Sequence, residues 1–286
     1  MLFRIDCMWP LALVLVAAGC TSPGAQPETH PSLSPTTSTT TSTTTAVTTT
    51  TPSTTTTAPL TVPAGLPLSG KVVGINAGHN GRNYTDPAFL GHQVFNGRSM
   101  ANCDTTGTAT DGGYTEAQFN FNVATYLRAD LQQEGAQVVM TRTTNDGIGP
   151  CIDERSAIIN NGNAIIAVDI HADGGPAEGR GFAILLPVSS GTNDGVIGSS
   201  RTFGEILRDA FTRFTAMPTS DYDGVNGFAP RNDLAGLNFA KQPKVLIECG
   251  NMRNTTDAQL LSSETFQRDA AMAMARAITN YVRRFN

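Results

Sequence analysis

From residue 67 onward, short apolar runs alternate with longer amphipathic stretches. Residues 72–77, 136–141, 164–170, 181–186 and 244–248 are compact, β-branched-rich runs of strand length. Between them the apolar positions recur at helical spacing. After Thr115, residues Phe119, Val123, Leu127 and Leu131 form one stripe that Gly135 closes. Thr115 and Gln118 make a capping-box pair at its start. Residues 152–160 and 201–214 predict two further helices. Residues 265–284 predict a long closing helix with Phe266, Ala270, Met274, Ile278 and Val282 on its core face. Residues 80–113 and 217–242 show no period and read as irregular. Strands alternating with helices predict an α/β fold: a single domain with a mostly parallel central sheet flanked by helices. No internal repeat is visible.

The first 66 residues follow no such pattern. Residues 1–20 read as a signal peptide, with an apolar stretch over 11–18 too short to span a bilayer stably. It ends in Ala17-Ala18-Gly19-Cys20, which is similar to a lipobox and makes Cys20 the expected lipidation site. A plain secretory signal is the alternative. Residues 21–66 are Thr, Ser and Pro with almost no apolar content, and such a tract cannot offset its ordering entropy by burial. It is expected to be a disordered tether, leaving 67–286 as the folded domain. The chain would be exported and held by a lipid at the outer face of the membrane, within the cell wall space.

Composition narrows the partners. Of 286 residues, 40% are hydrophobic, and the net charge is -5. A mildly acidic chain lacks the basic face of a nucleic-acid binder, and a monomer is expected. An exported compartment permits disulfides. Cys103 and Cys151 both lie in polar loop sequence and are expected to pair, whereas Cys249 ends an apolar strand and reads as a buried thiol.

The candidate chemistry sits where apolar runs end. His79 follows the first, His171 follows the one at 164–170, and Glu248 ends the last. In open α/β sheets ligands bind outside the carboxyl ends of strands. Two imidazoles and an acid are the donors of a hydrolytic zinc site, which takes three N or O ligands and leaves a fourth position open. His92 and Glu116 are both candidates for the third ligand. Glu116 is favoured because it opens a helix, whereas His92 lies within a loop. Arg155 either orients a substrate carboxylate or pairs with neighbouring Asp153 or Glu154.

The order of these pieces is similar to a known family. Ile75-Asn76-Ala77-Gly78-His79, Thr115-Glu116, Val138-Val139-Met140-Thr141-Arg142, Arg155 to Asn160, Asp169-Ile170-His171-Ala172-Asp173 and Val245-Leu246-Ile247-Glu248 follow one another as in the zinc-dependent N-acetylmuramoyl-L-alanine amidases called amidase type 3. The resemblance covers residues 72–286. It implies that His79, Glu116 and His171 bind Zn²⁺, that Glu248 is the catalytic carboxylate, and that the substrate is peptidoglycan or a muropeptide. Asp169 departs from the Ser usual before Ile-His. The long 80–113 loop resembles the mycobacterial-type branch. A catalytically idle peptidoglycan-binding relative and a zinc exopeptidase acting on stem peptides remain as alternatives.

Overall fold

The computed structural model describes residues 65–285; the expected signal peptide, Cys20 and nearly all of the tether lie outside them. Eight strands and seven helices follow in the order β1 (Val72–Ala77), α1 (Pro87–Gly91), β2 (Gln93–Phe95), β3 (Met100–Asn102), α2 (Glu116–Gln133), β4 (Gln137–Met140), α3 (Ile152–Asn161), β5 (Ile166–Asp173), β6 (Ala183–Pro187), α4 (Ile197–Phe214), β7 (Phe228–Arg231), α5 (Ala235–Asn238), β8 (Lys244–Asn251), α6 (Thr255–Leu261) and α7 (Glu264–Phe285) among the described residues. Six strands form one sheet in the order β4-β1-β5-β8-β6-β7. Every pairing is parallel except β6 with β8. This is the single α/β domain with a mostly parallel sheet that the alternating pattern predicts.

The helices follow from local sequence. At the start of α2 the Thr115 hydroxyl accepts from the Gln118 backbone N–H at 3.3 Å. The expected capping box is only half made, because the Gln118 side-chain oxygen accepts from Asn145 Nδ2 at 2.9 Å instead. Phe119, Val123, Leu127 and Leu131 are fully buried. With α4 and α7 they cover one sheet face, meeting Val73 and Ile75 of β1, Ile166, Val168 and Ile170 of β5, and Val245 and Ile247 of β8. Alternate strand positions form two smaller clusters on the other face, one with Ile159 of α3 and one with Leu237 of α5.

Two regions differ from expectation. The 80–113 stretch contains α1 and the hairpin, and 217–242 contains β7 and α5. These elements are three to five residues long, too short to show a period. In addition, β5 and β8 run past their predicted ends to Asp173 and Asn251. His171 and Glu248 therefore lie within strands rather than at their ends, and are directly paired in register.

Candidate metal centre and active site

Three elements bring the donors together. β1 delivers His79, which follows it in a left-handed backbone conformation with φ 56°. The first turn of α2 delivers Glu116, where the helix dipole favours a negative charge. β5 delivers His171. One ligand atom from each lies within 4.8 Å of the others. His171 Nδ1 is 2.8 Å and His79 Nε2 3.3 Å from Glu116 Oε1. The two rings stand edge to face, with centroids 5.0 Å apart. Gly78 makes this convergence possible: a Cβ there would sit 2.2 Å from the His171 ring. Gly107, at φ +70°, also passes close, since its Cβ would meet Glu116 Oε2 at 2.7 Å.

The electrostatics suit a cation. Burial opposes charge on His79, but Glu116 and Asp104 outweigh it and raise its pKa to about 10. Burial likewise opposes charge on Glu116, and the two imidazoles outweigh it, holding that carboxyl well below its usual range. The centre thus stabilises positive charge between its donors, and two imidazole nitrogens with a carboxylate oxygen form a donor set that zinc takes readily.

Glu248 opens onto the same cavity, of about 490 Å³, whose lining includes His79, His171, Asp173, Arg231 and Leu246. Its Oε2 is buried and has no hydrogen-bond partner. Burial, then the charges of Glu116 and Asp173, push its pKa well above the usual carboxylate range. A larger groove, of about 890 Å³, lies between α2 and α7, but its polar lining (Asp130, Glu134, Arg268 and Arg276 among it) gathers no comparable donor set.

The N-acetylmuramoyl-L-alanine amidase family profile matches residues 73–280. The chain belongs to this family. It is 38% identical over 216 residues to an N-acetylmuramoyl-L-alanine amidase of Mycobacterium tuberculosis, covering 75% of this chain and 88% of that protein. It superimposes on the crystal structure of the N-acetylmuramyl-L-alanine amidase Ami1 from Mycobacterium smegmatis with a TM-score of 0.71 at 39% identity, over 75% of this chain and 98% of that one. The amidase AmiC2 of Nostoc punctiforme, at 22% identity and a TM-score of 0.57 over 74% of this chain and 98% of that one, shares the fold. The mycobacterial likeness agrees with the long loop after His79.

Within this amidase domain the remaining candidates fall into place. Cys103 and Cys151 form a disulfide across 48 residues, and Cys249 is a buried free thiol. His92 packs beside that disulfide, its Nε2 3.6 Å from Cys151 Sγ. It is not one of the three donors that meet, and the disulfide sulfurs near it are no thiolate ligands. Arg155 pairs with neither Asp153 nor Glu154. Glu154 accepts from the Cys151 backbone N–H at the start of α3, while Arg155 forms a buried ion pair with Asp104 at 2.9 Å. Its Nε donates to Pro150 O, one terminal nitrogen to Ala77 O and the other to His79 O. All three guanidinium nitrogens are thus held by the protein rather than offered to a substrate.

Sequence reasoning missed four residues. Asp104 holds the His79 ring, with Oδ1 2.9 Å from Nδ1. Asp173 accepts from the Tyr222 hydroxyl at 2.9 Å at the cavity edge. Lys244 stands 3.0 Å from Asp169, both buried. The acid that departs from the family Ser is therefore matched by a cation on the neighbouring strand. The Asp-x-His-x-Asp alternation of β5 was the available signal for Asp173; nothing local pointed to Asp104 or Lys244.

Proposed function

We propose that this protein is a zinc-dependent N-acetylmuramoyl-L-alanine amidase. It would cut the amide between the lactyl group of N-acetylmuramic acid and L-alanine of the stem peptide, with His79, Glu116 and His171 holding the ion. The observation that carries this reading is the meeting of those three donors with the unpartnered Glu248 in one cavity. When bound, Zn²⁺ supplies Lewis-acid polarisation and lowers the pKa of water toward 7. Glu248 supplies the proton chemistry: its carboxylate takes a proton from the attacking water and returns it to the departing amine nitrogen. Its placement suits the role, because an acid–base group must reach the reacting atoms, and Glu248 shares the cavity with the three donors without being tied up by a hydrogen bond. Leu185, Leu234 and Leu246 give the cavity an apolar part to its lining.

In this reading residues 1–20 export the chain, Cys20 carries a lipid, 21–66 tether the domain, and the domain at 67–286 works on peptidoglycan as a monomer. Among the described residues no helix is long and apolar enough to cross a membrane; the hold proposed here is the lipid on Cys20. The test is digestion of purified muropeptides with and without a chelator, with products identified by mass. A stem peptide with a free L-alanine amine beside an intact sugar, lost on chelation and restored by Zn²⁺, is expected. A released terminal amino acid would instead favour a zinc exopeptidase, and no product under any metal condition a catalytically idle binder.

A further inference from the structure

We propose that Asp104 is the positioning residue of the metal centre: gripped by Arg155 and anchored by the Cys103–Cys151 disulfide, its carboxylate fixes the His79 ring so that Nε2 is presented to the metal. The inference rests on the reading of His79, Glu116 and His171 as ligands.

His79 needs an external anchor. It lies past the end of β1 on left-handed backbone, and its backbone falls outside the strand register, which ends at Ala77. His171, by contrast, sits within β5, with Glu248 beside it in register. Asp104 Oδ1 lies 2.9 Å from His79 Nδ1. An ionised carboxylate only accepts, so a neutral imidazole in this contact carries its hydrogen on Nδ1 and leaves the Nε2 lone pair free. Nε2 is the nitrogen that faces Glu116. Carboxylates bonded in this way to the far nitrogen of a ligating histidine orient the ring and raise its basicity.

Asp104 is itself held from three sides. Oδ1 also accepts from the Thr105 backbone N–H at 2.7 Å. Oδ2 accepts from Arg155 at 2.9 Å, and that same terminal nitrogen donates to the His79 carbonyl at 2.9 Å. One guanidinium therefore grips both the backbone of the ligand and the carboxylate on its ring. The third hold is covalent. Cys103 directly precedes Asp104, and Cys151 is the N-cap of α3, one turn before Arg155. The Ile152 N–H donates to the Cys103 carbonyl at 2.8 Å alongside the disulfide. The bridge thus ties the segment bearing the acid to the helix bearing its arginine.

The test measures Zn²⁺ affinity by competition with a chromophoric chelator. It compares the wild type with Asp104→Asn and with the paired substitution Cys103→Ser/Cys151→Ser. Asp104→Asn should weaken Zn²⁺ binding by about 10–100-fold, and the cysteine pair by about tenfold. In ¹⁵N spectra of the zinc-loaded wild type, His79 should carry its proton on Nδ1; in Asp104→Asn that signal should shift while the His171 signal stays. A merely structural role would lower the melting temperature without moving either readout. Wild-type zinc affinity in Asp104→Asn, or a wild-type His79 protonated on Nε2, would overturn the proposal. The Thr105 carbonyl also lies 3.2 Å from His79 Nδ1, so if Asp104→Asn does not fold, Asp104→Ala and the cysteine pair take its place, and wild-type zinc affinity in either overturns the proposal. A wild type that binds no Zn²⁺ would contradict the ligand reading itself, a result distinguishable from both.

Discussion

Along β5, Ile166, Val168, Ile170 and Ala172 belong to the core beneath α2, α4 and α7, while Asp169, His171 and Asp173 between them line the cavity on the opposite face. β8 alternates in the same way, with Val245, Ile247 and Cys249 in the core and Leu246 and Glu248 at the cavity. Successive strand residues point to opposite faces, so the same backbone serves both. One face is apolar and closely packed. The other carries buried charges, most of them balanced by a partner far away in sequence, Glu116 by His79 and His171, Asp104 by Arg155 and Asp169 by Lys244, while Glu248 stands without one. The comparison teaches that stability and chemistry are separable here by strand parity, and that substitutions on the two faces should fail differently.

The largest effect belongs to the donors. His171→Ala or Glu116→Ala should bring muropeptide turnover to background and release the metal, while the packed face keeps the chain folded. Metal content and circular dichroism on one sample check this. A variant that keeps both zinc and activity would remove that residue from the centre. On the packed face, Leu127→Ala should cost about 2–5 kcal/mol in urea unfolding and leave zinc affinity unchanged. A large loss of affinity there would show the faces to be coupled.

How much of this was readable in advance follows the same division. The packed face was legible because its signal is local: Phe119, Val123, Leu127 and Leu131 repeat at one spacing, and the strands are unbroken apolar runs. The donors were legible as an ordered set of short motifs, although His79, Glu116 or His171 alone would each pass for an ordinary residue. What balances the buried charges was not legible. Asp104 meets Arg155 across 51 residues, and Lys244 meets Asp169 from a different strand, and no local pattern encodes such a partnership. Short elements such as β7, with Pro230 in its four residues, left no period to read.

The Asp169–Lys244 pair sharpens the comparison. Removing one partner of a buried ion pair leaves an uncompensated charge. Asp169→Ser, which restores the residue usual in the family, should therefore destabilise the protein by about 3–5 kcal/mol. Adding Lys244→Met should recover most of that loss. Thermal melts of the single and double variants check it; a neutral Asp169→Ser would show that the pair carries no stability.

The smallest effects are those of pH. In the metal-free protein the His79 pKa is raised from 6.5 to about 10. Its stabilising contribution is therefore full below pH 6.5 and lost as pH rises through 10. Asp104 is lowered from 3.8 to about 2, so its contribution is present above pH 3.8 and lost as pH falls through 2. Metal-free protein should accordingly lose stability on going from pH 6.5 to 10. Zinc binding near neutrality should release a proton from His79, and affinity should rise with pH. Calorimetry in buffers of different ionisation enthalpy measures that proton; none released would contradict the charge state of His79.

The most direct test of the central claim is Glu248→Gln, with zinc content and muropeptide turnover read on the same preparation. The variant should hold one equivalent of zinc as the wild type does, while turnover falls by about 10²–10⁴-fold. Wild-type turnover in the zinc-loaded variant would contradict the assignment of Glu248 and of the proton path built on it.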